Sequence, residues 1–348
     1  MSTVTVVIPT ARRPGMLATA LASVRAQVLA APLDRVVVSE NGGDPRSREV
    51  CARFADLPID YCIQDPPLPP VNHAHRLLTL PGLGERVAFL CDDDWWAPGH
   101  LATLGQALDR HPAAVGAFAA GGYTDSETAV ACQRYWPAVM WLRGDPGATV
   151  ETQLLPGDEV LAACWVHTPF HFSSMLLRTS ILHDAAAIVR DSHPAHADRL
   201  LFARLALLGP VAFAPAVSAL IRRHEGNYYR LTVQREIQHA HAVVRGLVTN
   251  LAGQGGVNVT AVWRRLLEPR QGALPTDLVN LLWDYVGREP LEAAGLMPLL
   301  SRGRAHYWLK RWERWSWQVL VPWAPPILHR TYLRLRDRLA RPPESRAG

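Results

Sequence analysis

The sequence predicts a layered α/β protein, a sheet covered by helices, with a helical extension behind it. Three observations predict this. Short β-branched or apolar runs recur through the first half, each followed by a turn signal and a helical period. The most acidic point of the chain, Asp92-Asp93-Asp94, directly ends one of those apolar runs. From about Arg230 onward helical patterns dominate.

Val4 to Ile8 is a β-branched run ended by Pro9, and Pro14 opens a helix with Leu17, Ala20, Leu21 and Val24 on one face. Arg35 to Val38 is a second strand, broken by the turn-rich Asn41-Gly42-Gly43-Asp44-Pro45. Ile59 to Ile63 is a third. A Pro-rich loop from Asp65 to Pro70 precedes a helix starting near Asn72, and Val87 to Leu90 is the fourth strand. In the middle, Phe172 to Leu177 reads as a strand and Asp198 to Leu208 as a helix ended by Gly209-Pro210. Val211 to Leu220 is extended and leads to Ile221-Arg222-Arg223-His224-Glu225-Gly226-Asn227. Glu236 to Leu251, Val259 to Leu267 and Asp277 to Val286 are helical patterns.

The composition bounds the function. A chain of 348 residues with 49% hydrophobic and 19% charged residues suits one large domain, or one domain with a substantial extension. Cys51, Cys62, Cys91, Cys132 and Cys164 contain no C-x-x-C pair, so neither a zinc cluster nor a disulfide framework is expected. The opening MSTVTVVIPT has no basic segment followed by an apolar stretch, and no uninterrupted apolar run reaches about 18 residues. A cytoplasmic protein is the expectation. The net charge of +5 is uneven: residues 301–348 hold eleven basic and three acidic side chains, +8, leaving −3 for the rest. Basic character confined to the tail argues against a nucleic-acid-binding core.

The stretch VAFLCDDDWWAPGH poses the central question, because adjacent carboxylates repel unless solvent or a cation compensates them. A helix N-terminus tolerates acidic residues. A divalent cation accounts for them as well, and the strand end is where open α/β sheets bind ligands.

Four segments taken in order resemble the GT-A glycosyltransferases of family 2, inverting enzymes that use nucleotide sugars. They are VVIPTARRPGMLATALASVRAQ, VVVSENGGDP, FLCDDDWWAPGHL, and HADRLLFARLALLGPVAFAP with its following IRRHEGN. The likeness spans about residues 3 to 228. It implies a GT-A domain over 1–228, with a nucleotide-binding half to about 100 and an acceptor half beyond it; the helical C-terminal extension over 229–348 lies outside the likeness. It implies Mn²⁺ or Mg²⁺ as cofactor, a UDP- or dTDP-sugar as favoured donor and a hydroxyl acceptor: a small molecule, a lipid-linked molecule or a glycan. By position, Asp93 is the first candidate metal ligand, with Asp94 competing, and His224 completes the set. Asp92, Pro9, Thr10, Arg12, Glu40 and Arg76 fall on the nucleotide side, and Asp198 falls on the catalytic base.

The sequence departs from that family at three places. Ala11 replaces the usual aromatic after Thr10, Cys91 stands where many members have their first Asp, and Ala197 replaces the Glu before Asp198. These departures keep open a non-catalytic sugar-nucleotide-binding or membrane-scaffold protein. A sugar-phosphate nucleotidyltransferase is a third reading, weakened by the lack of a G-x-G-x-R loop after the first strand. In the tail, Trp308, Trp312, Trp315 and Val319 share one helix face beside Lys310, Arg311 and Arg314. That face suits peripheral attachment to the inner membrane surface, or packing and homodimer contact.

Overall fold

The computed structural model describes residues 3–27, 33–124, 133–135, 151–190, 192, 196–224, 234–268, 282, 286 and 288–300. Strand β1 (Val4–Thr10) leads through α1 (Pro14–Arg25), β2 (Leu33–Asn41), α2 (Pro45–Ala52), β3 (Ile59–Gln64) and α3 (Pro70–Leu78) into β4 (Arg86–Phe89). Then come β5 (Trp95–Trp96), α4 (His100–Arg110), β6 (Gly116–Thr124), β7 (Gln133–Tyr135), β8 (Gln153–Leu155) and α5 (Gly157–Val166). A 3-10 turn, Phe172–Ser174, precedes β9 (Met175–Arg178), α6 (Leu182–Arg190), α7 (Ala197–Leu208) and β10 (Val211–Arg222). Helices α8 (Gln234–Gln254), α9 (Val259–Leu267), α10 (Arg288–Ala293) and α11 (Met297–Leu300) follow.

The strands form one mixed sheet in the order β3-β2-β1-β4-β9-β6-β10-β5, with β7 on β6 and β8 on β10. Neighbours β3, β2, β1 and β4 are parallel, and β6 is parallel to β10. Strand β9 runs antiparallel between β4 and β6 and joins the two halves.

Alternation along the strands splits the core into two layers. Val6, Ile8, Val36 and Val38 face one side, with Leu17 and Leu21 of α1 and Leu101 and Leu104 of α4. Val7 and Val37, one residue out of phase, face the other with α3, α5, α6 and α7. A strand's period of two makes this unavoidable, so near-continuous β-branched runs such as Val36-Val37-Val38 mark strands buried on both faces.

Residues beyond 228 belong to the second layer. Val244, Val248 and Ala252 of α8 and Val259, Trp263 and Leu267 of α9 share its core with α5 and α7. The Trp263 indole Nε1 donates to Ala162 O of α5 at 2.9 Å. Core residues from both sides of 228 therefore pack in one layer. Helix α5 also starts hard against the end of α7. A Cβ at Gly157 would sit 2.1 Å from Ala206 O, so only glycine permits that approach.

One element differs from expectation. Phe172 to Ser174 is a turn rather than the start of a strand, because Ser173 N–H donates to His171 Nδ1 and His171 N–H to Ser174 Oγ, closing the backbone locally. Trp95 and Trp96 form a short strand that pairs antiparallel with Leu220 and Ala219 of β10. The helical pattern of Asp277 to Val286 lies outside the described residues apart from Leu282 and Val286, and the Trp-bearing face from Trp308 to Val319 lies outside them entirely. Among the described residues no helix is long and apolar enough to cross a membrane.

Candidate active site

Strands β2 and β3 lie on one side of β1 and β4 on the other, so the chain order reverses between β1 and β4. At such a reversal the connections on either side diverge and leave a crevice at the strand ends. One buried hydrogen bond spans this point: Thr10 Oγ1, at the end of β1, donates to Asp92 Oδ2 at 2.8 Å.

Past β4 the chain stays in register for one residue, with Leu90 N–H on Val7 O, then closes a turn with Asp94 N–H on Cys91 O at 3.1 Å. That turn gives three adjacent carboxylates three different surroundings. Asp92 meets Thr10 and the Arg13 guanidinium, at 3.3 Å. Burial, then the charge of Asp93, push its pKa up to about 6, against the pull of Arg13 and Thr10.

Asp93 is the most open of the three, its side chain 17% exposed against 7% for Asp92 and 2% for Asp94. Its Oδ2 lies 3.2 Å from Arg13 Nη1 and 3.0 Å from His224 Nε2. Asp94 turns inward. Its Oδ2 accepts from Ser173 Oγ at 2.5 Å and its Oδ1 from Arg222 N–H at 3.0 Å. Burial and then Asp93 push its carboxyl well above the usual carboxylate range. His171 Nδ1 lies 3.5 Å from Asp94, yet the same nitrogen accepts the Ser173 N–H, and burial pulls its pKa down to about 4. It is therefore a neutral ring at ordinary pH.

Ser173, fully buried, ties this turn together. Besides bonding Asp94, its Oγ accepts the Cys91 N–H at 3.1 Å, and its carbonyl accepts the Trp96 Nε1–H at 2.6 Å. Strand β10 closes the other side. Arg222 Nε donates to Asp93 O at 2.9 Å while its guanidinium lies 5.0 Å above the Trp95 ring, and two residues later His224 reaches Asp93.

On the far side of β1, Arg12 adopts a left-handed backbone with φ 57°, a conformation disfavoured for a side chain bearing a Cβ. Its N–H donates to Glu40 Oε1 at 3.0 Å. Glu40 is fully buried at the end of β2, and its Oε2 has no hydrogen-bond partner among the described residues. A buried carboxylate oxygen left unmatched is costly, and a donor reaching it would remove that cost. Pro9 pairs in register with Ser39, whose hydroxyl meets His73 Nε2 at 2.8 Å and Gln64 Nε2 at 3.0 Å.

The candidates thus gather unequally. Pro9, Thr10, Arg12, Glu40, Asp92, Asp93, Asp94 and His224 collect at the ends of β1, β2, β4 and β10. Arg76 is exposed on the last turn of α3 and stands outside this network, while His73 from the same helix turns into the core. Asp198 sits in the first turn of α7, where its Oδ1 accepts the Arg199 N–H at 2.6 Å. Burial pushes its pKa up to about 6. It takes no part in the hydrogen bonds around Ser173. Glu225 to Asn227, which close the fourth sequence segment, lie outside the described residues. Arg13, Ser173 and His171 escape the sequence reading; Arg13 carries a signal only in being a second arginine beside Arg12.

The donor set suits a hard divalent cation. One oxygen each of Asp93 and Asp94 and the Cys91 sulfur lie within 4.8 Å of one another. Burial holds the Cys91 thiol far above its usual range, so it stays protonated and leaves the work of ligation to oxygen. A cation there would also relieve the repulsion that raises Asp92 and Asp94.

The sequence matches no protein-family model and no curated protein. Among solved structures it is similar to the crystal structure of S. aureus TarS 1-349 in complex with UDP-GlcNAc, at TM-score 0.54 and 15% identity over 87% of each chain. The fold is GT-A. At 15% identity the likeness speaks to the fold alone. Mannosyltransferase PcManGT from Pyrobaculum calidifontis, in complex with GDP-Man and Mn2+, matches at 15% identity over 87% of this chain and 86% of that one, with a TM-score of 0.47, too low to bear on the fold.

Proposed function

We propose that this GT-A protein is an inverting, divalent-metal-dependent glycosyltransferase of the family 2 type. It would move a sugar from a nucleotide diphosphate donor, a UDP- or dTDP-sugar by preference, to a hydroxyl acceptor in natural-product or cell-envelope glycan synthesis. One observation carries the reading. At the β1/β4 reversal a partly open Asp93 faces His224, while the unmatched Glu40 Oε2 waits on the other side of β1. A diphosphate bound through a cation at Asp93 and a base ring N–H at Glu40 would span these two points. The similar fold of TarS, solved with UDP-GlcNAc, is in keeping with such a donor.

The chemistry assigns the parts. Breaking the anomeric C–O bond leaves a nucleoside diphosphate with new negative charge, and a bound cation stabilises that charge as it develops. Asp93 and His224 would hold the cation with Asp94 behind them, Thr10 and Asp92 would seat the ribose, and Arg13 adds positive charge beside both carboxylates. Asp198 would take the acceptor hydroxyl's proton as its oxygen attacks the anomeric carbon from the opposite face. A carboxyl titrating near 6 is better matched to that task than an ordinary aspartate. Arg76, exposed on the last turn of α3 outside this cluster, takes no part in these assignments.

The test is release of nucleoside diphosphate from a panel of UDP-, dTDP- and GDP-sugars with Mn²⁺, by wild type and by Asp198→Ala. Donor binding should survive the substitution while release collapses. A second reading, a non-catalytic sugar-nucleotide-binding protein, is favoured by one observation: Asp198 already spends one oxygen on its own helix. Under that reading neither protein releases diphosphate.

A further inference from the structure

We infer that Arg199 is the positioning residue for Asp198, and that α8 takes part in positioning through His241. This rests on the assignment of Asp198 as the base. Arg199 follows Asp198 directly, and its backbone N–H is the donor that fixes the Asp198 carboxylate, at 2.6 Å. Its side chain is 2% exposed and bonds within the helical layer. There all three guanidinium nitrogens are engaged. Nε donates to Cys164 O, Nη2 to Trp165 O at 2.6 Å, and Nη1 to His241 Nδ1 at 3.0 Å.

The two carbonyls belong to the last turn of α5, which has no intrahelical donors of its own for them. Arg199 thus caps α5 from α7, while Gly157 and Ala206 clamp the opposite ends of the same helices by close backbone approach. Two fixed points set the angle and register of α7, and Asp198 rides on its first turn. The third contact reaches α8, beyond the residues that carry the glycosyltransferase likeness. Because an arginine only donates, His241 accepts at Nδ1 and is neutral, in line with burial holding its pKa down to about 3. A planar fork with donors in three directions is required here; a lysine ammonium cannot reach two successive carbonyls and an imidazole in fixed geometry.

A misplacement of the base by about 1 Å can cost on the order of 100-fold in turnover without touching substrate binding. The experiment therefore separates turnover from binding in Arg199→Lys, which keeps the charge, and His241→Ala, which removes only the α8 contact. Each is compared with wild type and Asp198→Ala for donor affinity by calorimetry, with the sugar nucleotide that wild type turns over and Mn²⁺. Turnover is expressed per donor-binding site, so that unfolded protein does not count. We expect turnover to fall about 10- to 100-fold in Arg199→Lys and about 3- to 10-fold in His241→Ala, with donor affinity within about twofold. Unchanged turnover per site in both variants overturns the inference and leaves Arg199 a packing residue. Full turnover in Asp198→Ala overturns the base assignment instead, and no turnover by wild type with any donor overturns the enzyme reading; both remove the ground for this inference by a separate observation.

Discussion

The imidazole Nε2 of His224 lies 3.0 Å from Asp93 Oδ2, across 131 residues of sequence, and Asp93 is the most exposed of the three adjacent aspartates. An imidazole and a carboxyl group at that distance form a pair able to hold one cation between them after a small rearrangement. Asp93→Ala and His224→Ala should each weaken Mn²⁺ binding, by about 100-fold for the carboxylate and about tenfold for the imidazole. Calorimetric titration with Mn²⁺ reads both. Equal affinities in all three proteins would place the cation elsewhere.

Asp94 should behave differently. Removing it leaves the buried Ser173 hydroxyl and the Arg222 N–H without their acceptor, at about 1–3 kcal/mol for each unmatched group. Asp94→Ala should therefore lower the metal-free melting temperature by several degrees, while Asp93→Ala leaves it within about a degree. Comparable melting temperatures for the two variants would show that the inward bonds of Asp94 contribute little.

Glu40 offers a test of base recognition. Its Oε1 is held by the Arg12 N–H, so Glu40→Gln would turn its amide NH₂ toward the unmatched position. A uracil or thymine ring N–H then meets a donor in place of an acceptor, and UDP affinity should fall at least about tenfold, near 1.4 kcal/mol. Methylating the ring nitrogen of UDP should cost wild type the same and the variant little. If the variant binds UDP as wild type does, the ring N–H lies elsewhere.

Asp198 carries a pH signature. Its folded-state pKa is pushed by burial from 3.8 to about 6, so the folded protein holds a proton there that the unfolded chain has lost. The associated stability is complete below about pH 3.8 and is lost as pH rises through about 6. Asp198→Asn, which carries no charge, should be more stable than wild type above pH 6 by on the order of 2–3 kcal/mol, and equal to it near pH 4. Turnover has the opposite sense, because a base must be deprotonated: it should rise through about pH 6 and level off. Thermal melts across pH 4 to 8 read the first, initial rates the second.

Much of the crevice is legible in the sequence because parallel strands bring their carboxyl ends together. Once Val4 to Ile8, Arg35 to Val38 and Val87 to Leu90 are read as neighbouring strands, Thr10, Glu40 and Asp92 must end side by side. What lies across antiparallel strand β9 is not legible. Ser173 meets Cys91 and Asp94 only because β9 inserts between β4 and β6, and no local period reports that pairing. For the same reason the three aspartates read alike in sequence, yet each acquires its own partners from Arg13, His224, Ser173 and Arg222. On α3 the helical period puts His73 and Arg76 on adjoining positions, but burial separates them, His73 onto Ser39 and Arg76 into solvent. The helical extension beyond 228 is legible as helices, but not where it packs. Its shared core with α5 and α7 depends on contacts such as Trp263 to Ala162, which span 101 residues.

The central claim is that a sugar nucleotide and a divalent cation bind together at the β1/β4 crevice. A thermal-shift screen of UDP-, dTDP- and GDP-sugars, each with and without Mn²⁺, tests it most directly, since a ligand bound only by the folded form raises its melting temperature. At least one sugar nucleotide should raise the midpoint by several degrees with Mn²⁺, and that rise should vanish with EDTA and in Asp93→Ala. A flat response to every sugar nucleotide at millimolar concentration, with and without the metal, would contradict it.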